Sequence, residues 1–295
     1  MTAQSAIHDV KNRPIAVFDS GVGGISVLQH IHALLPFEPL LYVADSKYAP
    51  YGNKTPAEIQ ARCFAIADFL IANDAKAIVV ACNTATAAAI DAMRAKYTLP
   101  NHMPIIGMEP AVKPAAEASK NGIIGVLATT GTLKSAQFAG LLESYGRNVK
   151  VVTQACVGLV ECIERGEIAA ENTLRLVEQY CQPLLDAGAD TIVLGCTHYP
   201  FVRALIEQVA GPDVTLIDTG AAVARHLQQR LLALDLLLDH EQPTQIPTWE
   251  NKEPSWKNQE PFRKSKVQFW TNSEANNAKQ VISQLWGQSA EINTF

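Results

Sequence analysis

A chain of 295 residues, 48% hydrophobic and 18% charged, has the length of about two domains and enough apolar residues for sizeable cores. Its net charge of −5, with no dense Lys/Arg stripe, argues against a nucleic-acid partner. The opening MTAQSAIHDVKNR lacks the apolar core of a signal peptide, and no apolar run reaches the ~20 residues of a membrane span, so a cytoplasmic protein without membrane contact is expected.

The run PIAVF (14–18) stops at DSGVGG, and the amphipathic ISVLQHIHALL follows, which predicts strand, glycine-rich turn and helix. Next come a strand at LLYVAD (40–45), a helix at 57–73, a strand at AIVVAC (77–82), an alanine-dense helix in TATAAAIDAMRAKY and a strand at PIIGM (104–108). The second half starts again with the strand GIIGVLA (122–128) and the turn TTGT, then the helix KSAQFAGLLESYG and the strand KVVTQA (150–155). The long amphipathic helix 171–188, the strand TIVLGC (191–196), the strand TLIDTG (215–220) and the helix AAVARHLQQRLLALDLLL complete this half. Residues 239–265 are polar and proline-bearing and read as an exposed loop or insertion. The strand VQFWTN and a helix near EANNAKQVISQLW close the chain.

Short, nearly all-apolar strands alternating with amphipathic helices imply parallel sheets covered on both faces. The expected class is α/β, with two similar lobes, each a parallel-sheet sandwich, and an active site in the cleft between them. The first lobe is expected to comprise 14–109 plus 220–295 and the second 110–219, with 239–265 as a polar insertion.

The most informative feature is an internal repeat. Setting AKAIVVACNT (75–84) over ADTIVLGCTH (189–198) puts Cys82 and Cys196 at the same place, after a short apolar strand. Upstream, IAVFDSGVGG and IGVLATTGT also match in kind. The six cysteines include no C-x-x-C pair and no zinc-type Cys/His spacing, so reduced thiols and no metal are expected. Cys63, Cys156, Cys162 and Cys181 read as small buried hydrophobes. Cys82 and Cys196 do not, because structural cysteines have no reason to fall at equivalent strand ends in two halves.

In open α/β sheets ligands bind beyond the carboxyl ends of the strands, where Asp19-Ser20, Cys82-Asn83-Thr84, Thr129 to Thr132 and Cys196-Thr197-His198 are all expected. Two thiols facing one cleft suit racemisation, which removes a Cα proton on one face and delivers another on the opposite face. A thiol has a free pKa near 8.5, so both its forms are accessible close to working pH. A following helix N-terminus is expected to favour the thiolate. With no pyridoxal signature in the sequence, no cofactor is expected. The carbanion would then be stabilised by hydrogen bonds to the substrate carboxylate in a closed, dry pocket.

At these residues the sequence resembles the glutamate racemase family of the aspartate/glutamate racemase superfamily. The matching motifs, in family order, are DSGVGG (19–24), the PYG of YAPYGNKT (50–52), ACNTAT (81–86), GTLKS (131–135) and GCTHYP (195–200), and the likeness covers about 14–220. The resemblance implies interconversion of L- and D-glutamate for peptidoglycan synthesis, with Cys82 and Cys196 as the two bases. It implies Asp19 and His198 as assistants to the thiols. Substrate contacts would come from Asp19, Ser20, Tyr51, Gly52, Asn83, Thr84, Thr197 and His198.

Family members often carry an assisting Glu in C-P-L-x-x-P-L-V-E-x-G. CVGLVECIERG (156–166) keeps the Cys, Glu164 and Gly166 spacing but lacks both prolines, which leaves Glu161 as an alternative to Glu164. Some members have N-terminal extensions linked to activation by a cell-wall precursor, and many are homodimers; both are left open. The rivals are a racemase for aspartate or a related small acidic amino acid, a cysteine hydrolase using one thiol with His198, and a two-lobed binding protein. The hydrolase leaves the second cysteine's duplicated position unexplained, and the binding protein predicts no turnover.

Overall fold

The computed structural model describes residues 10–98, 103–238 and 266–295. The insertion expected at 239–265 and the first nine residues lie outside the described part. The chain alternates strands and helices around two fully parallel sheets, and no described helix is long and apolar enough to cross a membrane.

The first half holds β1 (Ile15–Asp19), α1 (Ile25–Leu34), β2 (Leu40–Ala44), α2 (Pro56–Ala72), β3 (Ala77–Val80), α3 (Asn83–Met93) and β4 (Ile105–Ile106). The second holds α4 (Val112–Ala118), β5 (Ile123–Ala128), α5 (Thr130–Leu133), α6 (Ala136–Tyr145), β6 (Lys150–Ala155), α7 (Leu159–Glu164), α8 (Glu171–Asp186), β7 (Thr191–Leu194), α9 (Arg203–Ala210) and β8 (Thr215–Ile217). The chain then returns through α10 (Gly220–Ala233), β9 (Val267–Thr271), α11 (Ala275–Trp286) and β10 (Ile292–Thr294).

Strand order is β10-β9-β2-β1-β3-β4 in one sheet and β6-β5-β7-β8 in the other. The second sheet therefore repeats the 2-1-3-4 order of the first, to which β9 and β10 add a flank. The register makes the repeat exact at the residue level: Ile15 pairs Ala77 in one sheet as Ile124 pairs Thr191 in the other. Five residues beyond each pairing point on the second strand stand Cys82 and Cys196.

Alternation along the strands sorts the core. Ile15 and Val17 face a large apolar cluster that continues into Leu127, Leu194, Tyr199 and Ile206 of the second half, so the two lobes share one core. Ala16 and Phe18 face the opposite side, against Ile66 and Leu70 of α2. The far face of the second sheet is covered by Val112 and Phe138. β1, β2, β3 and β7 are buried along their whole length, as apolar strands covered on both faces should be.

Local signals set the helix starts. Thr55 and Glu58 form a reciprocal capping box at the head of α2, with Pro56 in the first turn. Ser135 caps α6 by accepting from the Phe138 N–H at 3.1 Å. At the opposite end of the first sheet, Lys76 is buried and donates to Glu38 and to the Lys11 carbonyl, the latter at 2.6 Å. Glu38 also accepts from the Leu238 N–H at 2.9 Å, so one ion pair holds the start of the chain and the end of the α10 segment.

Candidate active site

The functional side chains stand where strands end and helices begin. β1 ends in Asp19, fully buried, which accepts from the Ser20 and Gly24 N–H groups at 2.7 Å each. Cys82 caps the N-terminus of α3, its Sγ accepting from the Ala85 N–H at 3.4 Å. Ser20 bridges the two, its Oγ 3.2 Å from Asp19 Oδ1 and 3.7 Å from Cys82 Sγ.

Across the cleft, Cys196 follows β7 and lies 3.6 Å from His198 Nδ1. The other imidazole nitrogen, Nε2, is 2.6 Å from Glu164 Oε1. Glu164, the last residue of α7, also accepts from the Val22 N–H at 2.7 Å and from Ser46 Oγ at 3.3 Å. A second-lobe carboxylate is thus anchored on the first lobe's glycine loop. The glycines make this possible: a Cβ on Gly21 would lie 1.9 Å from Glu164 Oε1, and one on Gly23 would lie 2.2 Å from His198 Nδ1. Of the two glutamates offered by the sequence, Glu164 is the one that contacts His198, while Glu161 lines a neighbouring cavity with Gly158 and Val157.

Both thiols line one narrow cavity, with about 290 Å³ free of protein atoms once space open to solvent is included. Ser20, Tyr51, Gly52, Asn83, Thr84, Thr197 and His198 share its wall. Asp19 and Glu164 do not line the wall; they stand one layer behind, in contact with Ser20 and His198 respectively. The Tyr51 ring lines the cavity but its hydroxyl donates to buried Asp45. Both polar atoms of the Asn83 amide are buried without a hydrogen-bond partner in the protein, a cost that a ligand or water molecule in the cavity would relieve.

Thr129 and Thr132, expected at a ligand-binding strand end but not named as substrate contacts, also line the cavity, as does Val160, which sequence reasoning passed over. The Thr129, Thr132 and Thr84 hydroxyls lie 2.9–3.1 Å apart and tie the lobes together. The repeat held a signal for Thr129, because the register makes it the second sheet's equivalent of Ser20. Asp45 was also missed. It is fully buried, holds Arg62 through contacts of 2.7 and 3.0 Å, and accepts from Asn272 and Tyr51. Its signal was an acidic residue closing an apolar strand, as Asp19 does.

Electrostatically the two thiol environments differ. Burial and then the nearby Asp19 carboxylate push the Cys82 thiol well above its ordinary range, outweighing the Ala85 N–H. The helix N-terminus expected to favour the thiolate is present, but full burial wins. Burial also raises Asp19, opposed by the charge of His198. For His198, burial works against the cation, yet hydrogen bonding to Cys196 and Glu164 prevails and the imidazole is held well above its usual value. Among the described residues no cluster of three or more His, Cys, Asp or Glu could hold a metal ion.

A parallel two-lobed α/β fold with paired thiols at equivalent strand ends defines a racemase of the two-thiol kind. The chain belongs to the Asp/Glu/hydantoin racemase family, whose model matches residues 15–227. Within that family it falls among the glutamate racemases. The glutamate racemase of Ectopseudomonas mendocina is 48% identical over 282 residues, covering 96% of this chain and 98% of that protein. Among solved structures, glutamate racemase isoform RacE1 of Bacillus anthracis matches with a TM-score of 0.80 at 30% identity, covering 97% of this chain and 98% of that one. The Escherichia coli glutamate racemase, solved with L-glutamate and the activator UDP-MurNAc-Ala, matches with a TM-score of 0.75 at 30% identity, covering 96% and 97%.

Proposed function

We propose that this racemase interconverts L- and D-glutamate by proton transfer at Cα between Cys82 and Cys196, supplying D-glutamate for peptidoglycan synthesis. The observation that carries the reading is a single inter-lobe cavity lined by both thiols and by an Asn83 amide with no protein partner. In one direction the Cys196 sulfur takes the Cα proton and Cys82, held as a thiol, delivers its own to the opposite face. The enzyme is left with the proton on the other sulfur, which suits the reverse reaction. His198, held between Glu164 and Cys196, orients that sulfur towards the cavity in this scheme. In this scheme Asn83, Thr84 and Thr197 hold the substrate's carboxylates, and a closed, dry pocket stabilises the developing carbanion. Asp19 and Glu164 are positioning residues in this scheme.

Similarity to glutamate racemases along nearly the whole chain favours glutamate over aspartate. The lobes divide at about residues 109 and 220 on this reading, because β1–β4, β9 and β10 share one sheet and β5–β8 the other. Six free cysteines fit a reducing, cytoplasmic setting. An activator carrying a diphosphate, like that of the E. coli relative, would suit the cavity lined by Arg94, His226 and Arg230, and homodimer formation belongs to the same reading.

The test is circular dichroism of L-glutamate, and separately D-glutamate, incubated with the protein in D₂O without added cofactor. Decay of the signal to zero from both sides, with deuterium at Cα, is expected. Racemisation of aspartate with glutamate untouched would overturn the substrate assignment.

A further inference from the structure

Two lysines in the motifs have no part in the proton transfer: Lys54 of YAPYGNKT and Lys134 of GTLKS. They line one cavity along the seam between the lobes, with about 1170 Å³ free of protein atoms, including space open to solvent. Lys54 comes from the first lobe and Lys134 from the second, and no acidic residue lines this cavity. Among the described residues neither lysine is in a salt bridge; Lys54 has the Tyr48 ring, 5.9 Å from its Nζ, and a weak longer-range attraction to Glu58. The nearest acidic neighbour in sequence, Glu58, is exposed and occupied by the Thr55 N–H and hydroxyl at 2.8 and 2.7 Å.

This cavity adjoins the thiol cavity, and the two share Gly52 and Thr84 as wall. The partition is thin and tight. At Gly131 an added Cβ would lie 3.0 Å from the Gly52 carbonyl oxygen and 3.1 Å from Thr84 Cγ2, so the lobes meet there backbone against side chain. A third cavity adjoins the site through Pro50, Thr129 and Val160, but the one charged side chain on its wall is Glu161. An acidic amino acid carries a net negative charge at neutral pH. It is repelled on the Glu161 side and attracted on the lysine side.

We infer that Lys54 and Lys134 form an anion-capture site, an antechamber that holds the acidic amino acid by its carboxylates before the lobes part at Gly52 and Gly131 to admit it to the thiols. The inference rests on the thiol cavity being the site for glutamate. A cleft lined by charge of one sign raises the local concentration of an oppositely charged ligand, and salt removes the effect.

The experiment compares wild type with Lys54→Gln/Lys134→Gln and Lys54→Arg/Lys134→Arg. KM and kcat are measured for both enantiomers at roughly 0.02 M and 0.3 M salt, where the screening length falls from about 20 to about 6 Å. The glutamine pair is expected to raise KM for both enantiomers by about 3–10-fold at low salt, to leave kcat within about twofold, and to flatten the salt dependence of KM. The arginine pair keeps the charge and should behave as wild type. An unchanged low-salt KM in the glutamine pair, or a salt dependence identical to wild type, overturns the capture site. If wild type itself leaves glutamate untouched, the reading of the thiol cavity fails instead, so the two failures are distinct.

Discussion

Glu164→Gln isolates the charge of the second-lobe relay with almost no change of shape. The glutamine oxygen can keep both bonds that Glu164 Oε1 accepts, from Val22 N–H and His198 Nε2, while its NH₂ replaces Oε2 as a donor to Ser46 Oγ. What disappears is the carboxylate charge on His198, in a site where the two side chains are 2% and 15% exposed. A hydrogen bond to a charged group contributes about 1.5–3 kcal/mol against about 1 kcal/mol for a neutral one, so the variant loses about 0.5–2 kcal/mol of imidazolium stabilisation. That corresponds to about one pKa unit downward for His198 and about a tenfold fall in kcat/KM.

The sign also fixes the stability profile. His198 is raised in the folded protein, so its contribution is fully present below the unfolded imidazole value and is lost as pH rises through the folded one. In Glu164→Gln that loss should start at the same pH, be smaller and be complete at lower pH. NMR titration of labelled histidine gives the pKa, and urea unfolding against pH gives the linkage. A His198 titration that stays in place, with a kcat/KM profile overlaying wild type, would refute the relay.

Other substitutions probe other parts of the site and core. Cys82→Ser and Cys196→Ser are each expected to abolish racemisation, since a serine hydroxyl is far too weak an acid to replace a thiol; wild-type rate in either, followed by circular dichroism, would end the two-base assignment. Gly23→Ala should cut kcat by about 10²-fold, because the new Cβ forces the His198 ring off Cys196; unchanged turnover would mean the ring's placement is immaterial. Lys76→Met leaves Glu38 charged and unpaired where both side chains are 0% exposed, and should cost about 3–5 kcal/mol in urea unfolding. Lys76→Met/Glu38→Leu should recover most of that loss, and failure to do so would show that the pair contributes more than mutual neutralisation.

Sequence alone determined the elements whose signals are local. The apolar strands, the capped helices and the glycine-rich turns followed from period and composition, and the repeat placed both thiols because a duplicated strand end shows in register with itself. β10 and the helices α4 and α9 went unread, being short elements whose pattern is set by the surfaces they cover. The asymmetry of the two halves was decided by tertiary structure. The pairing register puts Ala128 where the first sheet has Asp19, and His198 where it has Thr84, so the repeat carries no matching assistant for either thiol. Cys82 obtains its carboxylate neighbour from its own sheet, whereas Cys196 obtains His198 locally and Glu164 from a helix more than thirty residues away in the chain. That Glu164 lands on the Val22 N–H depends on two lobes closing over glycines at 21 and 23. Burial, which makes Cys82 a thiol despite its helix cap, is likewise a property of the closed cleft: desolvation depends on what surrounds a group in three dimensions, and no local pattern encodes it.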